Sequence, residues 1–350
     1  MEQQQKLIIG MPAGSLANAS RGGNLINLLA NAGFKATGYE KGGPSNFSTF
    51  SYLYGWDGRP QEFGTQLALN EIDVAISGED WIKERIYEMK YEYGREIETE
   101  KVLSLNRGNV RIVGIVSGCN ECANINDYLQ SISKSQKIIT VVSEMPYLAL
   151  HWLREKLDAL GLSSQYSDFS VQKYKTPPKI KQGIVIYETW GKTEAKVKNG
   201  GADIGLEITQ SGSAIRNYGL KIIDEIMRSE TGIYINPEIK NDDNKKELLR
   251  MFLLNLYGAV YAENKVMVMF NVHNENTTGV EEYLSKNNLY GDEPTITRGK
   301  NFTEYNIQVE ISDIRTPLAK LRYDLAMLKS KNIDTIPLES SIPEIDVVGF

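Results

Sequence analysis

The stretch from Gly200 to Leu220 reads GGADIGLEITQSGSAIRNYGL, and it is where residue types and spacing point most directly to chemistry. An apolar strand pattern from Ile204 to Ile208 gives way to Gln210-Ser211-Gly212-Ser213-Ala214-Ile215-Arg216. The glycine lets an anion approach the main chain, and the two serine hydroxyls can add hydrogen bonds. Strand, glycine-bearing loop and helical turn in succession bring backbone N–H groups together where the helix begins, which cradles a phosphate. The dipole of such a helix end contributes about 0.3 to 1 kcal/mol. The same residues would also make an ordinary turn that caps a helix.

Other reactive side chains are few. Cys119 and Cys122 form one Cys-Asn-Glu-Cys, and the only histidines, His151 and His273, lie far away in sequence. A structural zinc normally takes four ligands, so the pair reads as structural or incidental cysteines ahead of a redox pair or a metal shared at an oligomer interface. Two histidines also leave little for Ser-His-Asp or Cys-His mechanisms.

The elements that must position the loop follow from hydropathy. Lys6 to Gly10 reads as a buried strand ending in the loop Met11 to Ser15, and Asn24 to Ala32 as a helix closed by Gly33. Lys41 to Pro60, rich in Gly, Ser and aromatics, reads as a long loop. A helix from Arg59, a strand Asp73 to Ile76 and a helix opened by Ser77 to Trp81 come next. Strands at Val110 to Val116, Ile138 to Val142, Ile184 to Tyr187 and Ala202 to Leu206 then alternate with helices at Asn124 to Ile132, Pro146 to Leu160 and Lys192 to Lys198. Such alternation predicts an α/β fold with largely parallel sheets. After a helix from Leu248 to about Ala262, the order becomes β-α-β-β-α-β between Lys265 and Leu338, that of a ferredoxin-like or ACT-type module.

With 350 residues, 41% hydrophobic and 24% charged, the chain can bury the cores of two or three domains. No apolar run approaches the roughly 20 residues of a membrane span, and the polar Met1 to Gln5 is no basic leader, so a cytoplasmic protein is expected. The net charge of -6 gives no general attraction to nucleic acid or anionic membrane.

Gly200 to Leu220 resembles, without a gap, the signature of the ATP phosphoribosyltransferase family, roughly G-x-A-D-x-x-x-D-x-x-x-T-G-x-T-L-x-x-N-G-L. Gly200, Ala202, Asp203, Gly212, Gly219 and Leu220 match, with Glu207 for the family aspartate and Ser211 for the threonine. Gly191-Lys192-Thr193-Glu194 is similar to the family's G-S-V-E. Arg59 to Glu62 with Asp73 to Trp81 is similar to its R-x-x-D helix and V-D-L-G-I-T-G-x-D-W, and Met227 to Pro237 to its I-M-x-S-x-A-x-L-I-A-N-P.

The resemblance implies the long form of the enzyme: a bilobal, periplasmic-binding-protein-like catalytic core of two α/β domains and a C-terminal regulatory ACT-like domain. Domain I would span 1–110 and be rejoined at about 222–240, domain II would span 111–221, and 241–350 would hold the linker helix and regulatory module. The implied reaction moves the phosphoribosyl group of phosphoribosyl pyrophosphate to N1 of ATP, with Mg2+ carrying the pyrophosphate. Gln210 to Arg216 would hold the 5-phosphate and Glu207 the ribose diol, with Glu194 as a second catalytic acid. Ala13, Gly14, Ser15, Arg59, Gly78, Glu79 and Asp80 would meet the second substrate, and Glu194, Glu79 and Asp80 are candidates for Mg2+ or for orientation. Each acid could equally be a solvated helix-end carboxylate. The resemblance also implies a dimer or hexamer and histidine as an inhibitor at the C-terminal domain.

The sequence departs from the family in its first loop, P-K-G-R-L, here Pro12-Ala13-Gly14-Ser15-Leu16. Two cations are absent, each worth about 1.5 to 3 kcal/mol in charge-assisted bonds. Ala214 and Tyr218 also replace a hydroxyl residue and an asparagine. Arg21, Lys41, Arg59 and Arg216 are the cations available to compensate, and the aromatics of the Lys41 to Trp56 loop could face a base. These departures leave open a paralogue with another nucleobase acceptor, or an inactive binding protein on the same scaffold.

Overall fold

The computed structural model describes residues 6–13, 23–39, 45–47, 50–289, 295–312 and 317–349. Gly14, Ser15, Arg21 and Lys41 lie outside the described residues. The chain divides into two compact units, Met1–Asn27 with Lys35–Leu249, and Leu28–Phe34 with Arg250–Phe350.

The first unit is built on one nine-stranded sheet. In chain order its strands are β1 (Leu7–Pro12), β2 (Leu53–Gly58), β3 (Val74–Gly78), β4 (Glu100–Ser117), β5 (Ile138–Ser143), β6 (Phe169–Lys173), β7 (Gly183–Glu188), β8 (Ile204–Thr209) and β9 (Leu220–Ile235). They lie side by side as β2-β1-β3-β9-β4-β8-β5-β7-β6. The sheet is mixed rather than largely parallel. Two parallel groups, β2-β1-β3 and β8-β5-β7-β6, are joined by the antiparallel β9 and β4.

The joining strands are the longest among the described residues, with 18 residues in β4 and 16 in β9. Their pairing runs from Glu100 opposite Ile235 to Ser117 opposite Leu220, and slips on both sides of Arg107. Asn106 and Gly108 take positive φ of 51° and 66° there, as a bulge requires. Hydropathy finds only Val110 to Val116 of β4, because the bulge interrupts the alternation and the preceding half is polar and partly exposed.

Lys41 to Pro60 is not all loop, since Leu53–Gly58 pairs with β1 in parallel register from Leu7 opposite Leu53. An inward position of this strand is Gly55, where a Cβ would lie 2.7 Å from that of Ser45. Alternation carried by a glycine leaves no hydropathy signal. The short β6, only partly buried, is likewise absent from the sequence reading.

The helices are α1 (Leu25–Asn31), α2 (Pro60–Ala68), α3 (Glu79–Tyr93), α4 (Ile125–Ser133), α5 (Pro146–Ala159), α6 (Thr193–Lys198), α7 (Ser213–Asn217) and α8 (Asp243–Ala262). Pro60 and Pro146 stand in the first turns of α2 and α5, where a missing N–H costs nothing. The start of α5 is held from α3: the buried Glu84 carboxylate accepts the N–H groups of Tyr147 at 3.1 Å and Leu148 at 2.7 Å. Trp152, Leu148 and Leu153 of α5 then pack on Ile139, Val141, Ile204 and Leu206 of the sheet.

In the second unit, β10 (Lys265–His273), α9 (Thr277–Lys286), β11 (Thr295–Arg298), β12 (Phe302–Glu310), α10 (Leu318–Met327) and β13 (Lys331–Pro337) follow the expected β-α-β-β-α-β order. Their antiparallel sheet runs β11-β12-β10-β13. Strand β10 alternates strictly, and its buried Val266, Val268, Phe270 and Val272 share one core with Val280 and Leu284 of α9 and Leu321 and Leu325 of α10. Among the described residues no helix is long and apolar enough to cross a membrane.

Candidate active site

In open α/β sheets, ligands meet the loops beyond the carboxyl ends of parallel strands. The two parallel groups offer two such edges, and the candidate residues fall on both.

On the first, Ala13 follows β1, Arg59 follows β2, and Gly78 with Asp80 closes β3 and opens α3. All four line one cavity of about 480 Å3. Gly108 and Val110 of β4 and Ser229 and Thr231 of β9 line it as well, so the bulged crossing forms part of its wall. Asp80 is buried, and its Oδ1 accepts the N–H of Trp81 at 3.0 Å while its own N–H donates to Ser229 Oγ at 3.1 Å. Burial raises its pKa, against the Ser229 hydroxyl and the backbone bonds that lower it. A Cβ at Gly78 would collide with Asp80 Oδ1, so a larger residue there would make that carboxylate shift. Glu79 instead pairs with Lys83 at 2.9 Å, one turn along α3, and does not line the cavity.

On the second edge stands the loop after β8. Gly212 sits at φ 72° and starts α7. Its N–H donates to Thr209 Oγ1 at 2.9 Å, the Ser211 and Ser213 hydroxyls are 2.7 Å apart, and Arg216 donates to Ser211 O at 3.0 Å. Gln210, Ser211, Ser213, Ala214 and Arg216 are exposed, whereas Ile215 is buried beside Val113, Ile115 and Leu220 and anchors the turn. The loop is thus preformed around its own hydrogen bonds, with polar groups outward.

Glu207, at the end of β8, faces Glu194 of α6 and Glu144, the residue after β5. Burial raises its pKa to about 7, and Glu194 and Glu144 add to the rise while a hydrogen bond with Thr193 opposes it. Glu144 carries no signal in the sequence, being one acid among 45 acidic residues. Its place after a parallel strand is the only clue. Among the described residues no three His, Cys, Asp or Glu side chains converge to hold a metal by themselves. A pair of neighbouring carboxylates next to a phosphate loop is a donor set that suits Mg2+, which keeps water and takes phosphate oxygens.

The two groups meet at consecutive residues. Ile208 lines the cavity and the residue before it, Glu207, joins the carboxylates, so the two groups are adjacent along β8. Asp203, a matching signature residue, is in neither group. It stands at the other end of β8, bound to Thr140 of β5.

The family model for ATP phosphoribosyltransferase matches residues 59–258. The chain belongs to the ATP phosphoribosyltransferase family. The match spans β3, the cavity-lining Arg59, Gly78 and Asp80, and the whole phosphate loop. An ATP phosphoribosyltransferase of Solibacter usitatus is 27% identical over 282 residues, 78% of this chain and 80% of its own length. Another, from Nitratidesulfovibrio vulgaris, is 24% identical over 329 residues, 92% of this chain and 94% of its own, as a long-form member with the C-terminal module would be. Among solved structures, the ATP phosphoribosyl transferase (HisG:HisZ) complex from Thermotoga maritima is similar over 72% of this chain and 98% of that one, at 15% identity and a TM-score of 0.49.

Proposed function

We propose that the chain transfers the 5-phosphoribosyl group from phosphoribosyl pyrophosphate to N1 of ATP, releasing pyrophosphate, as the first step of histidine biosynthesis in the cytoplasm. Membership of the family is the observation that carries this reading. The preformed loop at Gly212 and the cavity at the β1-β2-β3 edge support it, since the reaction needs one site for a sugar phosphate and one for a nucleotide.

In this reading Gln210 to Arg216 hold the 5-phosphate through backbone N–H groups, the serine hydroxyls and the Arg216 guanidinium. Glu207 accepts hydrogen bonds from the ribose hydroxyls as a carboxylate, and Glu194 beside it orients the donor. Ala13, Gly14, Ser15, Arg59, Gly78 and Asp80 bound the acceptor. The C1–oxygen bond to pyrophosphate breaks as the C1–N1 bond forms, with N1 supplying the electron pair. Glu207 and Glu194, with Glu144 nearby, would hold Mg2+, which would neutralise charge on the departing pyrophosphate. Residues 1–110 with the return at 222–240 form the acceptor half, 111–221 the donor half, and 241–350 the module at which histidine inhibits an assembled dimer or hexamer.

A second reading, another base as acceptor, is favoured by Ala13, which places a methyl group on the cavity where the family has a lysine. Incubation with phosphoribosyl pyrophosphate, Mg2+ and a panel of nucleotides and bases, following pyrophosphate release, decides between them. Release with ATP is expected. Release only with another base would establish the second reading, and none with any acceptor would overturn both.

A further inference from the structure

We propose that Trp190 is a stacking platform for the aromatic base of the acceptor, a purine, with Trp81 as the second aromatic wall. The inference rests on the acceptor-site reading above and goes beyond it by naming the residue that grips the base.

Trp190 follows β7 and is 73% exposed, although it lines the same cavity as Trp81, Val110 and Ile208. An indole in water forgoes its hydrophobic burial, which ordinarily brings a tryptophan inside or against a partner. Here the backbone prevents retreat. Thr189 N–H donates to Ser143 O at 3.0 Å, Thr189 Oγ1 to Gly191 O at 3.2 Å, and Lys196 Nζ to Gly191 O at 2.6 Å. Gly191 and Lys192 then take consecutive left-handed conformations, φ 80° and 61°. A lysine held there is strained, and strain of that kind persists where the surroundings over-determine it, often beside a ligand. The turn therefore holds an exposed aromatic side chain in place at the mouth of a cavity of ligand size.

The rest of the wall offers contacts for a base, and Arg59 on it is a cation for the phosphates of the acceptor. Trp81, Val110 and Ile208 are apolar, and the polar groups of Gln61, Ser229 and Thr231 can address ring nitrogens and exocyclic groups at an edge. Ala13 lies on the same wall without the cation the family places there, so binding of the acceptor shifts from its phosphates toward its base. Stacking on an indole tolerates any purine, so Trp190 selects for an aromatic ring and leaves the choice among purines to the edge groups.

The test uses the full chain and its W190F and W190A variants, with adenosine, ATP, inorganic triphosphate and phosphoribosyl pyrophosphate as probes. Tryptophan emission and calorimetry report binding, and pyrophosphate release reports turnover. Adenosine and ATP should quench wild-type emission while inorganic triphosphate does not. W190A should weaken adenosine and ATP by about tenfold or more, and W190F by about threefold or less. Its melting temperature and its affinity for phosphoribosyl pyrophosphate should stay those of the wild type. Purine binding unchanged in W190A, or no purine binding by the wild type, overturns the proposal. Purine binding lost in W190A, in a protein that releases no pyrophosphate with any acceptor, sustains the platform and removes the transferase reading. Undiminished turnover of ATP by W190A at unchanged KM does the reverse.

Discussion

Asp203 and Thr140 clasp one another across β8 and β5: Asp203 Oδ2 accepts the Thr140 N–H at 2.8 Å and its hydroxyl at 2.6 Å, while Asp203 N–H reaches Thr140 O at 3.1 Å. The six residues of β8 separate this clasp from the phosphate loop by about 20 Å. A residue that matches the family signature therefore sets the register of the strand that carries the loop, and its carboxylate is spent on that bond.

Replacing it should be a stability defect. D203A leaves the Thr140 groups without their charged acceptor and should destabilise by about 2 to 4 kcal/mol in urea unfolding. KM for phosphoribosyl pyrophosphate, measured well below the melting transition, should match the wild type. A raised KM with unchanged stability would return Asp203 to the active site.

The Gly212 loop makes the opposite prediction. Aspartate tolerates a positive φ, so G212D should fold at a cost of about 1 kcal/mol. A Cβ there would lie 3.1 Å from Arg216 Nη1, so the added carboxylate would compete for that cation and repel the phosphate. Affinity for phosphoribosyl pyrophosphate should fall by about a hundredfold or more, read by calorimetry beside a thermal melt.

Glu207 should impose a pH profile. Its pKa of about 7 leaves much of it protonated near neutrality, and only the carboxylate accepts both ribose hydroxyls. Turnover at low Mg2+ should rise between about pH 6 and pH 8, and added Mg2+ should move the midpoint down by favouring the charged form. E207D, which restores the family residue, should keep the limb. E207Q should abolish it together with most of the activity.

Glu84 predicts a pH effect on stability rather than rate. Burial raises its pKa from 4.5 to about 8, against the two N–H bonds from α5. Between these values the folded chain holds a proton that the unfolded chain has released, so stability is greatest below about pH 4.5 on this account and declines as pH rises through about 8. Urea midpoints across that range should fall with pH in the wild type and vary less in E84Q. E84A, which strands the Tyr147 and Leu148 N–H groups, should cost about 2 to 4 kcal/mol.

Much of this arrangement is legible in the sequence, for physical reasons that also mark the limits. The helices and the β10 module announce themselves because one buried face repeats at a fixed period, as Val266, Val268, Phe270 and Val272 do. Strand β2 does not, because Gly55 faces inward with nothing apolar to record it. The phosphate loop is legible because its residues are contiguous. Glu144, Trp81 and Trp190 become site residues only when strands far apart in sequence bring them together. Glu79 and Asp80 are indistinguishable as letters. One turns back to Lys83 and the other is buried against Ser229, which only the antiparallel β9 supplies.

The paired β4 and β9 bear on how the protein can be taken apart. Each strand continues from one half of the nine-stranded sheet into the other, so no single cut releases a half with all its edges satisfied. A fragment ending at 110, or one confined to 111–221, would carry a half-length strand whose N–H and C=O groups have lost their partners and would seek them on other molecules. Split reporters, separately expressed lobes and swapped halves between relatives should therefore aggregate unless both long strands are exchanged together.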